Sequence, residues 1–334
     1  MTGVTDLTAD LAAALDRTLD PVPAGRLAPV VERLIRDYRS GTVPSSPILR
    51  SADDAAAYAA YRMPATYAAV LDVLDRAAAR VPDPATLLDA GGGTGAAVWA
   101  AAQVWPALRR ATVLEATEPA RALGRRLAAD AGSATVRDAR WEAAVLDTAP
   151  RLPEADLVTA CYLLGELTGP VREALVDAAA RAARVVAVVE PGTPAGYARV
   201  LAARDRLLAA GMTVVAPCPH DGACPITGDD WCHFAVRVPR TSRHRVLKAG
   251  SLGHEDEKFS YVVAVRQADG DAAAPAPGRI VRHPATRKGL VTLRVCEAGG
   301  ALRDTPVPRS RNELYRSARD AAWGDPWPPE GHAP

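Results

Sequence analysis

Leu87–Gly95 reads LLDAGGGTG, and the next nine residues read AAVWAAAQV. A short apolar run ends in an acid, passes through glycines and opens into a helix-like segment. Such a join suits a strand that turns sharply into a helix, because glycine reaches backbone angles that side chains forbid. The free N–H groups at the start of the helix then face whatever lies outside the strand end. A sequence with this feature is expected to build an open α/β sheet with a ligand at its carboxyl edge.

The rest of the central region agrees with that expectation. TLLDA, ATVLEA, ADLVTACYLL and RVVAVVE are short apolar runs rich in β-branched residues. Helix-like segments at 96–104, 119–131, 171–183 and 194–210 separate them. Strands alternating with helices imply a parallel sheet covered on both faces. Two later runs, CHFAVRV and KFSYVVAVRQ, have no crossover helix between them and are expected to form an antiparallel edge. HEDEK, 254–258, reads as a charged turn entering the second of them.

Residues 1–84 read as a helical N-terminal region, with apolar residues at helical spacing over 24–38 and 52–80. The main α/β unit is expected over 85–267. ADGDAAAPAPG, 268–278, reads as a linker. Beyond it, 268–334 holds the strand-like GLVTLRVC and a mostly irregular tail.

The glycine spacing lacks the Gly-Lys-Ser/Thr of a nucleotide P-loop. A dinucleotide fingerprint fits only if Ala96 stands at its third glycine. The form D-x-G-x-G-x-G, carried by Asp89, Gly91, Gly93 and Gly95, resembles the first motif of class I S-adenosylmethionine (SAM) methyltransferases. Glu115, twenty residues after Gly95, is the expected acceptor for ribose hydroxyls, with Glu118 as its neighbour and competitor. Asp156–Leu167, DLVTACYLLGEL, carries neither an N/D-P-P-Y/F motif nor a Pro-Cys nucleophile. Cys161 reads as a buried residue, and Glu166 is the weak catalytic candidate.

The chain has five cysteines, and three of them, Cys218, Cys224 and Cys232, fall in one loop at 216–234, APCPHDGACPITGDDWCHF. An odd count without an export signal argues against a disulfide framework and for a reducing compartment, read here as cytoplasmic. No long apolar stretch marks a membrane span. Clustered thiols suit zinc or an iron–sulfur cluster. The spacing C-x5-C-x7-C fits zinc less well, yet His220 and His233 leave Cys3His zinc open as the main rival to a cluster, and ordinary small buried residues are the third reading. The net charge of +1 excludes a global basic field. A local basic run, Arg237, Arg240, Arg243, His244, Arg245 and Lys248, is suited to phosphate contacts. Arg303, Arg309 and Arg311 form a weaker group.

VEPGTPAGYARVLAARDRLLAAG, VVAPCPHDGACPITGDDWCHFAVRVPR, EDEKFSYVVAVR, RMPATYAAVLDVL and YRSARDAAWGD together resemble one family. It is the methyltransferase-like protein family of the mitochondrial small ribosomal subunit, which has bacterial members. The resemblance spans about 55–327. It implies a class I methyltransferase (Rossmann-like) sheet, SAM on Asp89, Gly91, Gly93, Gly95 and Glu115, and association with the small ribosomal subunit or its rRNA. It also implies a [4Fe–4S] cluster on Cys218, Cys224, Cys232 and Cys296, stapling a small C-terminal extension to the sheet. Two functions stand side by side: an rRNA methyltransferase and a non-catalytic RNA-binding assembly factor. A small-molecule methyltransferase with structural zinc is the third.

Overall fold

A computed structural model describes residues 6–39, 42–44, 46–240, 253–267 and 276–329. Its centre is a sheet in the order β3-β2-β1-β4-β5-β8-β6, with β7 also paired to β8. The strands are β1 Thr86–Ala90, β2 Arg110–Glu115, β3 Arg140–Ala143, β4 Ala155–Cys161, β5 Ala183–Pro191, β6 Thr213–Ala216, β7 Phe234–Pro239 and β8 His254–Val265. The first five run parallel. From β1 the chain steps outward to β2 and β3, then returns to the other side for β4 and β5. The strand order therefore reverses beside β1, where an open α/β sheet leaves a crevice for ligands.

Helices cover both faces, as the apolar strands require. On one face lie α1 Leu7–Leu19, α2 Ala24–Arg39, α3 Ala52–Tyr61, α4 Met63–Ala78, α5 Ala96–Val104, α6 Glu118–Ala128 and the short α7 Ala134–Arg137. They share one core with that face, so the N-terminal helices continue the sheet's packing. Asp6 caps α1, and Leu7 N–H donates to Gln103 on α5. On the other face α8 Gly169–Ala182 and α9 Pro194–Ala209 enclose a second core. No helix among the described residues is long and apolar enough to cross a membrane.

The expected antiparallel edge is present but longer than expected. HEDEK is part of β8, not a turn. Its acids find cations across the register: Asp256 faces Arg237 on β7 and Glu255 meets Arg240. Opposite charges on facing strands offset the low strand propensity of such a segment.

β6 and β7 lie along the same edge of β8, since β5 holds the other edge. Ala216 stands opposite Val263 and Phe234 opposite Phe259. Residues 217–233 thus leave one edge strand and rejoin it, and this excursion is the cysteine loop. A small antiparallel sheet follows: β9 Gly278–Ile280, β10 Ala285–Arg287, β11 Leu290–Glu297 and β12 Leu302–Pro308, with α10 Asn312–Asp320 packed on it. Most of the composition-defined linker and part of the basic run, Arg243, His244, Arg245 and Lys248, lie outside the described residues.

Candidate functional site

The glycine loop lies at the carboxyl end of β1. Gly91, Gly93 and Gly95 all have positive φ, and Gly95 caps α5. Gly93 N–H donates to Glu115 Oε2 at 3.1 Å, while Glu115 Oε1 accepts from the backbone N–H and hydroxyl of Thr117. The acid that ends β2 is thereby held against the loop. Glu118 instead pairs with Arg121 and Arg125 at the surface. A Cβ on Gly93 would meet nothing within 4 Å, so the space beside it is open. Leu163 packs over Gly91 and Trp141 over Gly95.

Asp89 is 1 % exposed. Its Oδ1 accepts from Thr159 at 2.7 Å, and Oδ2 has no hydrogen-bond partner. That second oxygen occupies the space a Cβ on Gly92 would need, which makes Gly92 obligatory although the motif does not name it. Burial pushes the Asp89 carboxyl up to about 7, helped by Glu115 and opposed by the Thr159 hydrogen bond. These features fit a cationic, hydroxyl-bearing cofactor such as SAM: an unpartnered buried acid, an open-sided glycine turn and a fixed Glu115.

The Asp89 shift gives a stability prediction. A carboxyl raised from 3.8 to about 7 binds more protons folded than unfolded between those values. Its contribution is fully present below the lower value and is lost as pH rises through the upper one. Asp89→Asn removes this dependence. In urea melts of the SAM-free protein, the variant should gain on wild type between pH 5 and pH 8, by at most about 2.7 kcal/mol. An unchanged difference across that range contradicts the burial argument.

At the end of β4, Tyr162 has φ 55°, unusual for a bulky residue. Its hydroxyl donates to Glu257 Oε1 at 2.9 Å. Arg62, between α3 and α4, makes two bonds to the same carboxylate, at 2.8 and 2.7 Å. The guanidinium carbon sits 4.5 Å from the Tyr162 ring centroid. Glu166 follows in a short 3-10 turn, and burial with Glu115 and Glu190 nearby pushes it up to about 8. A carboxyl raised towards the working pH is the kind of group that exchanges protons in catalysis, so Glu166 stays a weak candidate. Burial also raises the Cys161 thiol, which therefore does not act as a ready nucleophile.

The second site lies under the edge-strand excursion. Cys218, Cys224, Cys232 and Cys296 line one cavity with about 560 Å³ of atom-free space, counting the part open to solvent. Cys296 comes from β11, so the small sheet supplies the fourth wall. All four are free thiols. Burial pushes Cys218 and Cys232 up, and it takes Cys296 up to about 12, with Cys218 and Cys224 adding to the effect. Tyr197 on α9 donates to Cys224 Sγ at 3.2 Å, and His220 Nε2 lies 3.5 Å from Cys296 Sγ. His233 stacks on Trp231 and does not line the cavity.

Among the described residues no group of three or more His, Cys, Asp or Glu side chains is set to hold a single metal ion. Four soft donors around a cavity with buried cations suit a net-negative iron–sulfur group in donor chemistry. Trp231 Nε1 donates to Gly192 O at 3.0 Å, fastening the cysteine loop to the carboxyl rim of the sheet.

The basic run is partly neutralised. Arg237 pairs with Asp256, Arg240 with Glu255, and in the weaker group Arg303 pairs with Glu297.

Comparisons with known proteins bear on identity. A human relative, "Ribosome assembly protein METTL17, mitochondrial", is 27 % identical over 287 residues, 80 % of this chain and 61 % of that protein. The Schizosaccharomyces pombe "Rsm22-cox11 tandem protein 2, mitochondrial" is 31 % identical over 186 residues, 44 % of this chain and 25 % of that protein. The chain thus spans less than two thirds of either relative. A solved magnesium protoporphyrin IX methyltransferase (ChlM) from Synechocystis PCC 6803 with bound SAM has 14 % identity and a TM-score of 0.39, covering 71 % of this chain and 97 % of that one.

The cytoplasmic expectation is corrected here, because the relatives are mitochondrial by name. Thiol usage reports redox conditions and does not distinguish one reducing compartment from another. The family model for the mitochondrial small ribosomal subunit protein Rsm22 matches residues 52–328, and the chain belongs to that family.

Proposed function

We propose that this protein is a SAM-binding, methyltransferase-like assembly factor of the small ribosomal subunit, held together at its edge by a structural [4Fe–4S] cluster. The observation that carries the SAM reading is Glu115 fixed on the Gly93 N–H beside the strand-order switch, next to buried Asp89. Asp89, Gly91, Gly93, Gly95 and Glu115 are the proposed SAM residues. Support for the partner, the subunit or its rRNA, is family membership. Functional units are taken as 1–84, 85–267 and 268–334, although the first shares its core with the second.

Cys218, Cys224, Cys232 and Cys296 are the proposed cluster ligands. Zinc draws its thiolates to about 2.3 Å from one centre. Support for the cluster is that all four cysteines line one cavity, a donor set that also admits zinc. Iron and sulfide counting after anaerobic purification tests this, and zinc in their place defeats it.

A catalytic role has less support than binding. The strand end that faces the proposed cofactor carries Cys161, whose thiol burial raises, and Tyr162, clamped by Glu257. The assembly reading is therefore preferred. Labelled SAM offered with naked and subunit-bound rRNA decides the matter: binding without transfer is expected, and transfer to a defined nucleotide makes the protein an enzyme.

Gly93→Arg forces a long side chain into the open space and strains a φ of +56°. Titration calorimetry should show SAM affinity reduced at least about 100-fold, near 2.7 kcal/mol, with iron content unchanged. Undiminished affinity removes this loop from the proposed pocket.

A further inference from the structure

Two arginines are buried where the cysteines meet. Arg279 on β9 is 2 % exposed and Arg204 on α9 is 3 % exposed. Both line the cavity that the four cysteines line. A guanidinium inside a protein is ordinarily matched by a buried carboxylate. Arg279 has none: Nε donates to Pro217 O at 3.0 Å, Nη1 to Gly324 O at 2.8 Å, and Nη2 has no partner. Arg204 gives Nη2 to the carbonyls of His220 and Gly222, and its Nε is unpartnered. Its one acid is Asp205, at 3.3 Å, whose side chain is 66 % exposed and well hydrated.

The carbonyls that these arginines hold belong to the frame of the cavity. Pro217, His220 and Gly222 flank Cys218, and Gly324 lies in the tail beside β9. Each guanidinium is thus fastened to the frame and keeps one N–H in reserve. Arginine does not lose its proton in a protein. Two uncompensated buried cations are costly, and one partner of such a charge must come from somewhere. The rest of the lining is mostly apolar, and its polar groups, Tyr197, His220, Ser260 and Tyr261, include no carboxylate.

Resting on the cluster reading above, we propose that Arg204 and Arg279 are the counter-charges of the cysteine-held group. Their spare N–H groups donate to its sulfur atoms, and their positive charge makes the group easier to reduce. Net charge and hydrogen bonds to sulfur are two of the levers that set the potential of such a centre. Outer-shell partners of this kind also govern how firmly a metal is held.

The test uses the full chain, reconstituted anaerobically with iron and sulfide, and a reductive titration followed optically. Arg204→Gln and Arg279→Gln remove charge at similar size, and Arg204→Lys and Arg279→Lys restore it. Each Gln variant should be about tenfold harder to reduce, a midpoint near 59 mV lower for one electron. Each should also lose iron to a chelator faster. The Lys variants should recover most of both properties. Iron lost from the Gln variants and kept by the Lys variants supports the proposal equally.

Gln variants with full iron and an unmoved midpoint overturn it. Equal iron loss in the Gln and Lys variants also overturns it, because the arginines then serve packing alone. Wild type lacking iron and sulfide after reconstitution is a separate result: it defeats the cluster reading itself, and the arginine role with it.

Discussion

On the proposed cluster reading, Cys224→Ser should strip the protein of iron and sulfide and loosen its C-terminal sheet. The thiol lies on the cavity wall with Cys218, Cys232 and Cys296, and a serine hydroxyl is a poor ligand for a soft metal centre. Loss of a ligand should cost more than the 10–100-fold in metal affinity seen for outer-shell partners. The energetic consequence follows from chain connectivity. A group joining Cys218 to Cys296 closes a long loop, and crosslinks of that span are worth about 4 kcal/mol on the loop-entropy scale. Native contacts alone then hold the small sheet, among them Arg279 to Pro217, Arg282 to Asp230 and Trp231, and Arg76 to Asp325. Protease cleavage after residue 276 should speed up with no loss of far-UV circular dichroism from the main sheet. Cys161→Ser is the control, since Cys161 lies at the end of β4 outside the cavity lining. A Cys224→Ser protein that keeps its iron shows that the ligand set is wrong.

The sequence displays some of these features and conceals others, for physical reasons. Parallel strands buried on both faces must be continuous apolar runs, so RVVAVVE and ADLVTAC are visible without partners. Gly91, Gly93 and Gly95 are legible because backbone angles demand glycine, and Asp89 because it ends an apolar run just before them. Gly92 is different: its constraint comes from a carboxylate oxygen folded beneath it, which no spacing reveals. β12 carries Pro306 and Pro308, and an edge position is what permits them.

HEDEK looks like a solvated turn until β7 and Arg62 supply its counter-charges. Cys296 resembles any strand-end core residue, and only family resemblance joins it to the loop. Arg204 and Arg279 are less visible still. Arginine is mostly a surface residue, and nothing local in RDRLL or GRIVR signals burial. The same blindness explains the candidate chemistry: the strand-end motif is absent, while the groups that occupy its place come from distant segments.

The clamp on Tyr162 carries the largest stability prediction. Glu257 receives Arg62 through two bonds and Tyr162 through a third, and the ion pair's side chains are only 19 % and 11 % exposed. Removing the acid leaves a buried guanidinium uncompensated and a phenol without its acceptor. Glu257→Leu should therefore cost about 3–5 kcal/mol in urea melts. Arg62→Met should cost a similar amount, because the carboxylate is then stranded beside Tyr162. The double variant should recover much of the loss, since a well-packed apolar replacement of a buried pair is often close to neutral. The expected coupling is large because the two residues touch, and a double-mutant cycle measures it directly.

Tyr162 extends the argument from stability to binding. Leu163, the next residue, packs on Gly91, so freeing the tyrosine loosens the wall of the glycine loop. SAM affinity should fall in Glu257→Leu and stay depressed in the double variant, where stability returns but the tyrosine's acceptor does not, while Arg62→Met keeps that acceptor and should lose less. A single variant losing less than about 1 kcal/mol, within the range of an exposed pair, shows that the clamp is solvated. Full SAM affinity in all three variants separates the clamp from the cofactor site.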